Sequence, residues 1–262
     1  MNSIFDTNEL YPDYDDILKE YFKNHFDSVY VCFLPFFKIN NRNSPVDIRL
    51  SKAISLEEAK TKHEIYNKLD PNVNRVIYSY DNSNYPARED IIAFAEPLKW
   101  KDILYNSGFE NYNELNLALR TSIGALRSEY ERKDLQEKLD EFTTTNRIFH
   151  PVEGRISVLS LLSIYKCLTD LGKTKLVITD EFFQDRKTID LLELNATDFV
   201  LQLHGYMYYF PEDRSLLFTI EWDSFFYLIC GAQDLLEKII PQYGFEGFYS
   251  NSETTHNWYL PL

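Results

Sequence analysis

Tyr206-Met207-Tyr208-Tyr209-Phe210, then Pro211-Glu212-Asp213-Arg214, then Leu216-Leu217-Phe218-Thr219-Ile220 lies in the most apolar and most orderly run of the chain. Aromatic and β-branched residues suit a pleated, half-buried surface, so the two flanking runs read as strands. Proline pre-sets φ for a turn and aspartate can accept from its own backbone, so the polar tetrad between them reads as the bend of a β-hairpin.

Working outward towards the C-terminus, Trp222-Asp223 closes the hairpin, and Asp223 is a residue type that caps helices. Phe225, Leu228, Ile229, Ala232, Leu235, Leu236 and Ile239 recur at three- and four-residue steps, which predicts an amphipathic helix ended by Pro241 and Gly244. Phe245-Glu246-Gly247-Phe248-Tyr249 alternates large and small and predicts a strand. Asn257-Trp258-Tyr259-Leu260 predicts a last short one. A helix stripe and a sheet face each need a cover, and each can cover the other. The expectation is a C-terminal hairpin–helix–strand unit.

Working outward towards the N-terminus, Phe199 to Leu203 leads into the hairpin, Thr188 to Leu194 reads as a short helix or turn, and Leu176 to Thr179 reads as a strand. Ile156, Leu159, Leu162, Leu168 and Leu171 define the clearest helix, with Gly172 as its C-terminal residue. Asn111 to Phe142 reads as helix in two pieces around Gly124, preceded by a short helix from Trp100 that stops at Gly108. Ser55-Leu56-Glu57-Glu58 is a capping box that opens a helix to about Leu69. A short strand follows within Val73 to Tyr80, and a helix starts after Pro86. Val29 to Leu34 has no polar face and predicts a strand buried on both sides. Asp13 to Phe26 reads as a first helix, with Ile17, Leu18, Tyr21 and Phe22 on one side. The pattern lacks the strict alternation of a doubly wound sheet. It predicts an α+β protein with a mixed or mostly antiparallel sheet and a helical middle region. A single domain over residues 1–262 is expected. If the chain divides, it divides at Thr143-Thr144-Thr145-Asn146 into 1–142 and 147–262.

The chain carries a net charge of −14, and aromatic residues make up 16% of it. From Asp198 to Leu262 nine acids face two bases, a net of −7, whereas Lys99 to Arg155 holds ten acids and nine bases. An acidic surface repels nucleic acid and anionic membranes and attracts basic partners. Cys32, Cys167 and Cys230 all sit in apolar runs, without metal-knuckle or redox-pair spacing. They read as buried free thiols of a reducing compartment. The start of the chain is not a signal peptide, and no apolar run approaches the roughly 20 residues of a membrane span. A cytoplasmic location is expected, with no membrane partner.

The chemistry-bearing signatures of phosphate loops, zinc proteases and nucleophile elbows are absent. His25, His63, His150, His204 and His256 are scattered, with no pair at helical ligand spacing, so neither a metal nor a cofactor is expected. Two polar clusters interrupt apolar context. His150, Glu153 and Arg155 precede the clearest helix and can hold an anion at its start. Glu221, Trp222, His256 and Trp258 share a pocket if the last strand pairs beside the hairpin. Two indole rings and a carboxylate suit a cation, and a histidine–carboxylate pair suits acid–base chemistry.

Asp102-Ile103-Leu104-Tyr105-Asn106-Ser107-Gly108-Phe109, with Arg120, Ile123-Gly124 and Ser128-Glu129-Tyr130-Glu131-Arg132, resembles the second helix-turn-helix of AraC-type regulators. The resemblance implies a recognition helix over Asn113 to Arg120. The alanine usual after the isoleucine is Leu104 here, and that helix carries Glu114 and a single arginine. Leu119 to Arg127 and Phe245-Glu246-Gly247-Phe248 resemble the YwbB-like group of Gram-positive bacteria, a family of uncharacterised function. This resemblance implies a cytosolic bacterial protein and assigns no activity.

These readings favour an acidic cytoplasmic binding or interaction protein without built-in catalysis. It would hold a basic protein partner as immunity proteins hold toxins, because aromatics dominate interface cores. One alternative is an enzyme whose site is assembled from distant residues around His256 and Glu221. Another is a DNA-binding regulator acting through 102–132, although phosphate binding needs the lysines and arginines that this chain lacks.

Overall fold

The computed structural model describes residues 4–6, 9–39, 48–49, 52–54, 77–79, 85–203 and 205–260. In chain order the described elements are α1 (Leu18–Phe22), β1 (Ser28–Phe33), β2 (Phe36–Ile39), β3 (Lys52–Ile54), β4 (Ile77–Ser79), α2 (Arg88–Phe94), β5 (Ala95–Leu98), α3 (Trp100–Ser107), α4 (Tyr112–Ser122), α5 (Lys133–Thr145), α6 (Val158–Asp170), β6 (Lys175–Asp180), β7 (Arg186–Asp190), a 3-10 turn (Leu191–Glu193), α7 (Ala196–Gln202), β8 (Tyr206–Pro211), β9 (Leu216–Ile220), β10 (Phe226–Gly231), α8 (Gln233–Gln242) and β11 (Gly247–Tyr249). The fold is α+β. A seven-stranded sheet runs in the order β11-β1-β10-β9-β8-β6-β7, and every neighbouring pair in it is antiparallel. Two small ribbons, β2-β5 and β3-β4, stand apart from it. The capping box at Ser55 lies outside the described residues, as do His63 and His204.

The hairpin forms as its residues dictate. Tyr208 pairs with Thr219 and Tyr209 with Phe218, and the bend is held by Asp213, whose carboxylate accepts from the Ser215 amide at 3.1 Å. The next element is not the helix that the spacing predicts. Asp223 caps nothing: Phe226–Gly231 is a strand, and the helix begins only at Gln233. Every residue of β10 is buried, because the strand lies between β1 and β9 with both faces covered. An unbroken apolar run satisfies three- and four-residue spacing as easily as it satisfies a buried strand, and here the missing polar face decides for the strand. Gln233, Asp234, Glu237 and Lys238 supply the polar face that a surface helix needs.

The alternation of a strand assigns the two faces. Phe33, Phe226, Leu228, Thr219 and Phe210 share one face, which the N-terminal segment covers at Phe210 and Thr219 while Trp100 and Trp258 pack on Phe33 and Phe226. The Phe5 ring rests on Phe210 at 4.7 Å, and the Thr219 hydroxyl donates to the Leu10 carbonyl at 2.9 Å. Cys32, Tyr227 and Gly231 share the other face, with Leu236 of α8 packed over Gly231. The N-terminal helix is one short element, α1, rather than a helix over most of 13–26.

At the edge, Gly247 is required by close approach. A Cβ built there would lie 1.8 Å from the Val31 carbonyl oxygen. Its neighbour Glu246 accepts from the first amides of α3, Trp100 at 2.6 Å and Lys101 at 3.0 Å. The Trp100 indole N–H donates to the Leu34 carbonyl at 2.7 Å. Asn257–Leu260 is a turn, not the last strand that its aromatics suggest. Residues 186–190, read from sequence partly as a helix or turn, form the outermost strand β7. Its exposed Arg186, Lys187 and Thr188 keep that edge polar.

In the middle region α3 ends at Gly108, left-handed at φ +76°, and Asn111 caps α4 by accepting from the Glu114 amide. The two helices form the turn that the AraC-type resemblance implies. The would-be recognition helix is nevertheless an interior element, with Leu115 through Ser122 all buried, Arg120 included. Thr143-Thr144-Thr145 is the last turn of α5. Thr143 is buried there, and its hydroxyl donates to the Leu139 carbonyl at 2.8 Å.

Ile229 is fully buried in β10. Ile229→Ala should therefore destabilise the fold by about 2–5 kcal/mol through the cavity left behind, read from urea unfolding midpoints. Cys32, Cys167 and Cys230 are buried and unbridged. Thiol titration of denatured, unreduced protein should find all three reactive, and a titre lower by two would reveal a disulfide.

Candidate binding cleft beside the 221–224 turn

The two polar clusters singled out in the sequence meet at the turn between β9 and β10. Ser224 donates its amide to the Glu221 carbonyl at 3.1 Å, and its own carbonyl accepts from the Gly154 amide at 3.0 Å. Gly154 takes φ +64°, and a Cβ built there would lie 1.8 Å from the Trp222 carbonyl oxygen. Only glycine lets the 150–155 loop lie this close to the turn. The contact does not depend on a strand at 257–260, the route by which sequence spacing would have joined Glu221 to His256.

Within the loop, His150 is a buried strut. Its ring Nε2 sits 2.9 Å from the Thr143 hydroxyl, its amide donates to the Ile48 carbonyl at 2.7 Å, and its carbonyl accepts from the Tyr85 hydroxyl at 2.6 Å. Burial, with Arg49 nearby, holds its pKa well below the ordinary histidine value. Glu153 is buried and Arg155 half-buried. Ser157, two residues on, caps α6 by accepting from the Ser160 amide at 3.1 Å.

Glu153, Arg155 and Trp222 line an open cleft of about 390 Å³ with Asp180, Glu181 and Phe182 from the end of β6. Trp222 is 49% exposed and Phe182 64%, so both rings face solvent across a rim of carboxylates. Burial first, and then Glu221 and Asp180, raise the pKa of Glu181. Burial raises Glu221, against the hydrogen bond it accepts from Tyr14 at 3.1 Å. Burial also raises Asp223, opposed by Arg120. Three carboxylates thus hold charge at a cost that a nearby cation would relieve.

Behind the turn lies a closed network. His256 is fully buried. Its Nδ1 is 2.8 Å from the Tyr11 hydroxyl, its Nε2 is 3.3 Å from the Arg120 guanidinium, and its ring stacks on Tyr14 at 4.3 Å. Arg120 also lies 5.2 Å above the Tyr259 ring. Nε2 facing a guanidinium must accept, so Nδ1 carries the proton and donates to Tyr11. Glu221 and His256 therefore come to one place, joined through Tyr14 rather than by a hydrogen bond of their own. Trp258 does not join Trp222. It packs on Phe226 at 5.7 Å and Phe248 at 5.0 Å, inside the sheet's cover. Tyr11, Tyr14, Glu181 and Phe182 carried no local signal in the sequence, and Arg120 stood out there only within the helix-turn-helix resemblance, since each acts through partners far along the chain.

Among the described residues, no helix is long and apolar enough to cross a membrane. No group of three or more His, Cys, Asp or Glu among them is placed to hold a metal ion.

Residues 14–260 match the family model "Protein of unknown function (DUF2711)", and the chain belongs to that family. It is 27% identical over 175 residues to the "Uncharacterized protein YwbB" of Bacillus subtilis (strain 168), an alignment covering 67% of this chain and 77% of that protein. No solved structure matches the chain.

Burial and the Arg120 charge lower the His256 pKa to about 3. A folded-state value below the unfolded one contributes stability that is fully present above about pH 6.5 and is lost as pH falls towards 3. His256→Gln should flatten the wild-type decline in unfolding free energy between pH 6 and 4 by up to about 1.4 kcal/mol per pH unit, measured by denaturant titration at each pH. Parallel profiles for the two proteins would show that His256 is not held neutral.

Proposed function

We propose that this protein is a binding protein whose cleft beside the 221–224 turn accepts a cationic side chain from a basic protein partner. The observation that carries the reading is that two solvent-facing rings, Trp222 and Phe182, line one cleft with the carboxylates of Asp180 and Glu181, with Glu221 of the adjoining turn close enough to raise the Glu181 pKa. A lysine or arginine entering there meets ring faces that attract cations and carboxylates whose mutual repulsion it removes. The wider charge supports the same partner. The segment from Asp198 onward, which supplies Glu221 and Trp222, carries nine acids and two bases. An acidic field of this kind speeds encounter with basic surfaces and sets partner choice more than it sets affinity. His256 supports the binding reading over acid–base catalysis by its place behind the turn, fully buried against Arg120.

Titration with deca-lysine, followed by indole fluorescence, should give saturable binding that weakens with added salt and loses its signal in Trp222→Phe. The double variant Glu181→Gln with Glu221→Gln should bind about three- to tenfold more weakly. Asp234→Gln with Glu237→Gln, on α8, should leave binding unchanged. Equal affinity for the wild type and the cleft variant would reject the cleft as the cation site.

A further inference from the structure

Arg155 and Gly205 also line a second cavity, of about 370 Å³, separate from the acidic cleft. It lies where α6, α7 and β8 meet the small unit built from Phe37, Tyr85 and Ile91, and its walls include Phe37, Ile91, Ile156, Leu203 and Tyr209. Its volume falls in the lower part of the roughly 300–1,000 Å³ range of small-molecule pockets, which are mostly apolar with few polar groups.

The polar groups on this wall are unusual for so acidic a chain. Among its described lining residues the charged ones are Arg88 and Arg155, and there is no acid. The hydroxyls are already engaged: Tyr85 donates to the His150 carbonyl, Tyr209 to the Tyr206 carbonyl, and Ser157 to Ser160. The two guanidiniums are near enough for Arg155, after burial, to lower the Arg88 pKa, which the exposed Glu89 offsets in part. The first turn of α6, Val158 and Leu159, faces the same cavity and adds the positive end of a helix dipole. An apolar chamber with two cations and no counter-charge among its described lining residues is complementary to a molecule that is itself apolar with one anionic end.

We propose that this cavity binds a compact amphipathic anion, an apolar body ending in a carboxylate or phosphate, with the head held by Arg88 and Arg155 and the body against Phe37, Ile91, Ile156 and Leu203. The guanidinium fork matches both head groups in two parallel hydrogen bonds. The proposal does not rest on the cationic-partner reading and concerns a ligand of the opposite charge, so either reading can fail alone.

The test is calorimetric titration of the full chain with sodium decanoate, decyl phosphate and 1-decanol. At least one of the two anions should bind saturably, and the arm that binds more tightly identifies the head group. Decanol, with the same tail and no charge, should bind at least about tenfold more weakly. Arg88→Gln with Arg155→Gln should reduce anion affinity about tenfold while leaving decanol unchanged. Arg155→Lys, which keeps the charge and loses the fork, should give an intermediate loss and serves if the double variant does not fold. The proposal is overturned if neither anion binds saturably, if decanol matches the anion in the wild type, or if the arginine variants bind the anion as the wild type does.

Discussion

The two-sided burial of β10 is the constraint on which the rest depends. A strand with no exposed side chain must have its backbone paired on both edges and its side chains covered on both faces. The edges are met by β1 and β9, so a strand from the start of the chain is inserted next to one from its end. The faces are met by α8 on one side and by the N-terminal segment with His256 and Trp258 on the other, which brings Leu10 to Thr219 and Tyr11 to His256. Long-range closure of this kind is slow to form, because the loop entropy is lost before the contacts repay it.

The same closure decides the electrostatics behind the turn. Arg120 is buried in α4, where an unmatched charge is costly. Its neighbours are a neutral imidazole, the face of Tyr259 and a carbonyl, with Glu221 and Asp223 beyond. A neutral His256 serves Arg120 as an acceptor, whereas a protonated one would add a second buried cation. The network thus holds the 221–224 turn from behind while Gly154 holds it from the side, and Trp222 is left facing solvent on a rigid support. A binding group placed on a supported turn loses less freedom on engagement than one on a free loop.

Much of this architecture is legible in the residues. The 206–220 hairpin, the Asn111 and Ser157 caps, and the left-handed stops at Gly108 and Gly172 all follow from local chemistry. Phe225 to Cys230 is where local chemistry is ambiguous, since six apolar residues fit either period. The discriminating fact, a strand waiting on each side, lies two hundred residues away in β1 as well as next door in β9. Asn257 to Leu260 has strand-like residues, but the position beside β1 is taken by β11. Of the candidate site, Glu221 and Trp222 and the loop with Glu153 and Arg155 were visible as polar interruptions. Their meeting was not, because it rests on a backbone contact at Gly154 and not on any side-chain pattern. Glu181 and Phe182 were invisible for the same reason: nothing near them in sequence says that the end of β6 comes to the turn after β9.

Arg155 stands between the cleft and the chamber and lines both. On one side it borders a cleft whose rim is acidic and aromatic, and on the other a chamber whose lining cations are itself and Arg88. A cation between two such spaces offsets the carboxylates of the first only to the extent that it is not claimed in the second. An anion seated against Arg88 and Arg155 would neutralise part of that charge and leave Glu181 and Glu221 more strongly negative towards the solvent side. By reciprocity of linked equilibria, a cation bound at Trp222 would then favour the anion by the same factor. The sign of the coupling follows from the placement of one side chain: occupants of opposite charge on the two sides of Arg155 should assist each other. Deca-lysine affinity measured with and without saturating decanoate reads this directly, with tighter binding in its presence the expected result. Unchanged affinity would show that the two spaces, though they share a wall, do not share its charge.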